Sequence, residues 1–125
     1  MLSQKSTGLV AFKKAYAKAM LYHDLPDEEG ERLADMLPKQ PYACFSTPTH
    51  WDPFHDPNFA GKFGYIFTEA DRIVHIEAQR GYARMAEIDT TFLLKDSSHS
   101  PHIERPEELA GVVLGMVSTI MNKAS

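Results

Sequence analysis

Two consecutive segments of this chain share one plan, an apolar run closed by a polar turn that leads into a helix. The first is Phe63-Gly64-Tyr65-Ile66-Phe67-Thr68-Glu69-Ala70-Asp71-Arg72. The second starts at Thr90-Thr91-Phe92-Leu93-Leu94, passes through Asp96-Ser97-Ser98-His99-Ser100-Pro101-His102-Ile103-Glu104-Arg105, and enters a helix at Pro106-Glu107-Glu108-Leu109. Between them Ile73, Ile76, Ala83, Met85 and Ala86 mark a helix of about residues 73–87. A strand, a helix and a second strand in that order form a crossover, which is how parallel neighbours are joined. The chain is therefore of the α/β class, with strands at 62–68 and 90–95. Both polar turns fall at the carboxyl ends of those strands, where open α/β sheets bind ligands.

The residues in the two turns suit acid–base chemistry. His99 sits in a short loop between a strand and a helix, the kind of position from which a general base acts. Asp71 closes the first turn, ahead of a helix. Taken alone, Asp71 also reads as a helix N-cap, and the two roles are compatible. Glu69 and Asp96 are further acids within reach of the same turns.

The two units resemble the C-terminal part of the α/β-hydrolase superfamily, in which the triad acid follows one late strand and the triad histidine the next. The resemblance places the orienting acid at Asp71 and the base at His99. It rests most firmly on His99-Ser100-Pro101 followed by Glu104 and Pro106. Leu21-Tyr22-His23-Asp24-Leu25-Pro26 with the helix after it, and Phe45-Ser46-Thr47-Pro48, resemble the cap region of the esterase-like branch. It spans about Met20 to Met116. The implied fold is a partial α/β-hydrolase with a helical cap segment, two late parallel strands and flanking helices. About 1–60 would be cap and connection and about 61–125 the C-terminal core, in a single domain. The implied chemistry is acyl transfer to a serine, with a carboxylic ester as the small-molecule substrate and no cofactor.

One part of that machinery has no counterpart. These enzymes carry their nucleophile in a G-x-S-x-G elbow, and none of Ser3, Ser6, Ser46, Ser97, Ser98, Ser100, Ser118 and Ser125 lies between glycines at that spacing. An oxyanion-hole segment is missing as well. The chain reads as the C-terminal portion of a hydrolase, inactive alone and completed by an N-terminal portion. The alternative is a non-catalytic binding or interaction module derived from such an enzyme. Two parallel strands leave a sheet edge and apolar helix faces uncovered, so self-association through that edge is expected if no other portion covers it.

Elsewhere the pattern is less specific. Leu9, Phe12, Tyr16, Ala19 and Met20 fall at helical spacing, predicting a helix over roughly 8–22. Pro26 and the acids Asp27, Glu28 and Glu29 start a second, with Leu33, Met36 and Leu37 inward, and Pro38 and Pro41 stop it. Residues 40–61 contain four prolines and read as an irregular connection. Within it Trp51 and Phe54 either contact substrate or, with Phe59, plug the cap against the core. His102 lines the pocket entrance or lies on the surface. His50 and His55 beside Asp52 and Asp56 invite a metal, but nothing fixes their directions and no further ligand pattern accompanies them, so no metal site is assigned. The last helix is expected to bury Leu109, Val112, Val113, Met116, Val117 and Ile120 and to dock closely through Gly111 and Gly115. Gly81 is expected to permit close packing in the helix before it.

A net charge of −4 and a pI near 5.8 argue against nucleic acid or an anionic membrane as partner. No apolar run reaches the length of a membrane span, and the first residues lack a signal-peptide pattern. Cys44 is a single cysteine, read as a small, partly buried hydrophobe in preference to a reactive thiol. These features point to a cytoplasmic location.

Overall fold

The computed structural model describes residues 2–4 and 8–123. The chain divides into two compact units, Met1–His50 and Trp51–Ser125. The division falls inside the proline-containing connection.

In the first unit, strands β1 (Leu2–Gln4), β2 (Leu9–Phe12) and β3 (Gln40–Pro41) form an antiparallel sheet in the order β1-β2-β3. Helices α1 (Lys14–Leu21) and α2 (Asp27–Met36) pack as a hairpin, and a short helix α3 (Ala43–Ser46) follows. The helix expected over 8–22 is thus corrected, because its first third is strand. Leu9↔Pro41 and Val10↔Gln40 pair on one side and Val10↔Gln4 on the other, and Val10 is buried. Helical spacing and β-prone Leu9-Val10 compete locally, and two-sided pairing decides for strand. The second helix starts directly after Pro26 as expected, but its buried residues are Gly30 and Ala34, while Met36, expected inward, is 66% exposed and Leu37 lies at the C-cap. Gly30 lets α2 approach α1, since a Cβ there would lie 3.3 Å from both Lys18 Cγ and the Tyr22 carbonyl oxygen. Lys14–Asp35 and Lys18–Asp27, each at 2.7 Å, join the two helices on their exposed sides.

The second unit opens with two 3-10 turns, Pro53–His55 and Pro57–Phe59, capped by the carboxylates of Asp52 and Asp56. Their rings pack locally, Phe54 on Phe63 at 4.9 Å between centroids and Trp51 edge-on against Phe59 at 5.8 Å. Strand β4 (Gly64–Thr68) and strand β5 (Thr90–Leu94) pair in parallel, from Gly64↔Thr90 to Thr68↔Leu94. Helix α4 (Ile76–Met85) makes the crossover and packs on β4. A short helix α5 (Pro101–Glu104) leads to α6 (Pro106–Lys123), which packs on β5. The parallel pair is as the sequence predicts.

Three details of this unit differ from the sequence reading. α4 begins at Ile76, not 73, because His75 has an extended backbone, φ −55° and ψ 147°, and stands as its N-cap, while Ile73 and Val74 belong to a separate turn held by the Asp71 side chain. The buried stripe of α6 is narrower than expected. Met116 is buried and Leu109, Val112 and Ile120 are partly so, while Val113 and Val117 are 42% and 52% exposed. A two-stranded sheet offers a helix only a narrow floor. The glycine that permits close approach is Gly64, over which Met116 sits so closely that a Cβ would overlap its sulfur. Gly111 has open space around it, and Gly81 and Gly115 meet only side-chain atoms at 4.0 Å. No helix among the described residues is long and apolar enough to cross a membrane.

Candidate active site

The parallel ladder does not stop with the strands. The Glu69 N–H donates to the Leu94 carbonyl at 3.2 Å and the Ala70 N–H to the Ser97 carbonyl at 2.9 Å, so the two turns leave the sheet side by side. Glu69 ties them further by accepting the Asp96 N–H on its carboxylate at 3.1 Å. That contact explains why Glu69 does not compete with Asp71 as a partner for His99.

Asp71 is 6% exposed and every contact of its carboxylate has a task. Oδ1 accepts the N–H groups of Ile73 at 2.8 Å and Val74 at 3.0 Å. Oδ2 accepts the Thr68 hydroxyl at 3.1 Å and faces His99 Nδ1 at 2.9 Å. Burial pushes the Asp71 carboxyl up, but the Val74 N–H, the His99 ring and the Ile73 N–H together hold it below the usual carboxylate range. It is an anion at neutral pH. An anionic acceptor at Nδ1 fixes the proton there in neutral His99 and leaves Nε2 with its lone pair.

The His99 loop is braced separately. Asp96 adopts a left-handed conformation, φ 53°, which an aspartate tolerates better than most residues. Arg105 donates to the Lys95 carbonyl at 2.7 Å and to the Asp96 carbonyl at 2.8 Å. The Ser98 hydroxyl bonds the Glu104 carboxylate, and Ser97, Ser98 and Ser100 are all buried around the loop. The His99 side chain keeps 36% of its surface exposed, facing a pocket of about 370 Å³. Gly64, Tyr65, Ile66, Val74 and His102 are among that pocket's walls.

Of the residues singled out from sequence, Asp71, His99 and His102 therefore converge on one pocket. Phe54 lines a neighbouring pocket of about 510 Å³, more apolar in character, which shares Gly64 and Tyr65 with the first. Trp51 is 62% exposed, lies against Phe59 and lines neither. Asp52 and His55 do meet, at 2.6 Å, as an exposed ion pair. No group of three or more His, Cys, Asp or Glu side chains that could hold a metal gathers among the described residues. Cys44 is exposed, unlike the partly buried position expected of it.

Sequence reasoning missed Gln79, Thr68 and Arg105, which hold the two loops. Gln79 was detectable in principle. It stands three residues after Ile76 and four before Ala83, on the inward stripe of α4, where a polar side chain must find partners.

A family model described as the alpha/beta hydrolase family matches residues 4–112. The chain belongs to that family. The crystal structure of polyneuridine aldehyde esterase superposes on this α/β-hydrolase with a TM-score of 0.64 and 13% sequence identity. The match covers 100% of this chain and 48% of that one, so the chain spans about half the length of the esterase structure. At that identity the likeness speaks for the fold, which is esterase-like. No protein of curated function matches the chain.

Proposed function

We propose that the chain supplies the acid and the base of a serine-type hydrolase acting on carboxylic esters. The observation that carries this reading is the contact between Asp71 Oδ2 and His99 Nδ1, 2.9 Å across two parallel strand ends, with the imidazole facing a pocket. In that role Asp71 holds the His99 tautomer and stabilises the imidazolium once it forms. Nε2 takes the proton of the attacking hydroxyl and returns it to the departing alcohol. The sequence offers no G-x-S-x-G serine, so the hydroxyl and the oxyanion hole come from an N-terminal portion that pairs with the free edge of β4. His102 is the substrate-contacting residue that the pocket favours. Phe54 would meet a substrate only where it reaches past Tyr65 into the neighbouring pocket, and Trp51 only beyond Phe59. The reading includes a cytoplasmic location, consistent with a lone Cys44 and no possible internal disulfide.

A second reading, a non-catalytic module that binds its own copy or another protein, draws on a different observation. On α6, Val113 is 42%, Leu114 71% and Val117 52% exposed, an apolar patch on the surface of the helix.

Turnover of p-nitrophenyl acetate by the purified chain and its His99→Ala variant, with fluorophosphonate labelling of serine, tests the missing nucleophile and the acid–base pair of the first reading. The expected result is no turnover and no label for the chain alone. Turnover that the variant loses, with a labelled serine, would overturn the missing-nucleophile reading and leave the acid–base pair standing. Turnover that the variant keeps would remove His99 from the mechanism.

A further inference from the structure

The side-chain amide of Gln79 is 2% exposed and spends its hydrogen-bonding capacity on the backbone that carries Asp71. Its Oε1 accepts the Thr68 N–H at 2.9 Å, and its Nε2 donates to the Thr68 carbonyl at 2.9 Å and to the Val74 carbonyl at 2.6 Å. Both donors are thereby used. The orientation of the amide is unambiguous, because exchanging its oxygen and nitrogen would set an NH₂ against an N–H and an oxygen against two carbonyls.

The geometry is that of a missing strand. Along a β-strand, successive residues turn their N–H and C=O groups to opposite edges, and Glu69 turns its N–H to β5. Thr68 therefore presents both of its groups to the open edge of β4, where the Gln79 amide meets them as a neighbouring residue's backbone would. The third bond closes the segment, since Thr68 and Val74 are the two ends of the turn in which Asp71 sits. The Thr68 carbonyl also accepts the Asp71 N–H at 3.4 Å, and the Val74 N–H reaches Asp71 Oδ1. Thr68 in turn gives its hydroxyl to Asp71 Oδ2. Each group that orients the carboxylate, apart from His99 itself and the Ile73 N–H between the anchors, belongs to a residue the amide holds.

We propose that Gln79 is the positioning residue of the Asp71–His99 pair, fixing the acid's carboxylate by clamping both ends of its turn. It makes no hydrogen bond to His99, and although it forms part of the wall of the 370 Å³ pocket its amide is spent on the Thr68 and Val74 backbone, so that it acts through Asp71. The proposal rests on the reading of Asp71 and His99 as acid and base. Its test uses no turnover, so a chain without activity leaves the test intact.

The decisive experiment is NMR of the whole chain carrying Gln79→Glu, which keeps the side chain's shape and removes both donors. Ala83→Gly, one turn further along the same buried face of α4 and outside the amide's hydrogen bonds, serves as a control that lowers stability. Two signals are read, the low-field proton resonance of His99 Nδ1–H, assigned by its loss in His99→Ala, and the titration midpoint of the Asp71 carboxyl carbon. Gln79→Glu should lose the resonance and move the Asp71 midpoint up toward that of an ordinary carboxylate, whereas Ala83→Gly should keep both despite melting lower. A retained resonance with an unmoved midpoint in Gln79→Glu would overturn the proposal. So would loss of both signals in Ala83→Gly, which would make Gln79 one structural residue among others.

Hydrogen exchange in the unaltered protein covers the case in which Gln79→Glu fails to fold. The N–H groups of Thr68, Ile73 and Val74 should share protection within about tenfold, because one clamp opens all three. Ile73 and Val74 exchanging a hundredfold faster than Thr68 would show that the turn moves independently of the amide, and would sink the idea.

Discussion

The second unit contains two aspartate–histidine pairs, and the one with the shorter contact is the less consequential. Asp52 and His55 meet at 2.6 Å, three residues apart, with side chains 58% and 53% exposed. Asp71 and His99 meet at 2.9 Å from opposite strand ends, with side chains 5% and 36% exposed. The first pair is a local event in a 3-10 turn, where Asp52 also caps the Phe54 N–H. The second exists only if β4, β5, the crossover and both loops are in place. Distance alone does not separate a surface ion pair from a braced aspartate–histidine pair. Burial and the number of independent supports do.

The largest expected difference comes from removing each acid in turn. Asp71→Ala leaves the Ile73 and Val74 N–H groups without their acceptor in a partly buried turn, while the Thr68 hydroxyl keeps only Gln79 Oε1, at 3.4 Å. We expect a loss of about 2–3 kcal/mol in urea unfolding, from the desolvation of stranded donors. Asp52→Ala frees an exposed histidine and an exposed N–H, both of which water satisfies, so the same unfolding midpoint should move only slightly, far less than in Asp71→Ala. Equal losses in the two variants would erase the distinction drawn here.

The two pairs should also differ in their pH response, since Asp52 is lowered by its hydrogen bond to His55 and gives the exposed pair an acid limb of its own beside the alkaline limb of His55. The Asp71 carboxyl is depressed in the folded state, so its contribution is fully present above the unfolded value of about 4. It is lost as pH falls through the lower folded value, and Asp71→Ala should flatten that acid limb of the stability curve. His55 is raised, first by its hydrogen bond to Asp52 and then by that carboxylate's charge. Its contribution is present below about 6.5 and lost as pH rises through the higher folded value. Because that pair is exposed, salt should shrink its effect while leaving the Asp71 limb in place. Urea midpoints across pH 2.5–9 at two salt concentrations read these limbs.

How much of this was legible in the sequence follows the same line between local and distant causes. β4, β5 and the start of α6 were readable because apolar runs, turn residues and Pro106 with its acids are signals carried within one segment. The choice of Asp71 over Glu69 and Asp96 came from resemblance, and the geometry now supplies a physical ground, since Glu69 is occupied by the Asp96 N–H. Residues 9–12 were misread because the pairing that makes them strand comes from β1 and β3, short segments with no pattern of their own. Gln79 was missed for a related reason. On a helix, glutamine is by default solvated, and only the fold shows that its neighbours are the unpaired backbone groups of Thr68. The burial of Val113 and Val117 was overestimated because periodicity marks an apolar face but says nothing of how wide the sheet beneath it is.

A smaller effect should come from the His99 side of the braced pair. Arg105→Ala removes two donors from the Lys95 and Asp96 carbonyls at 2.7 and 2.8 Å. These carbonyls lie near the surface, where water replaces most of what is lost, so the expected cost is about 1 kcal/mol. The more telling readout is local, because hydrogen exchange at Ser97–Ser100 should quicken while Ile73 and Val74 keep their protection. Acid loop and histidine loop would then be held by separate braces, Gln79 for one and Arg105 for the other. Quickening in both loops together would mean that a single brace serves the pair.

The smallest effect belongs to the exposed pair and carries the opposite sign. Glu87 follows α4 in a left-handed conformation, φ 53°, and the helix ends in a Schellman arrangement, with the Ile88 N–H on the Ala83 carbonyl at 2.9 Å and the Glu87 N–H on Arg84 at 3.1 Å. Glycine suits that position where glutamate is strained, so Glu87→Gly should stabilise the chain by roughly 0.5–1 kcal/mol, the relief of the left-handed strain outweighing glycine's extra unfolded freedom. The Glu87 charge also helps to raise His55. The variant should therefore lower the His55 titration midpoint slightly and leave that of Asp71 unmoved. A shift at Asp71 would mean that the two pairs are electrostatically linked through the end of α4, and the exposed pair would then have to be counted among the supports of the buried one.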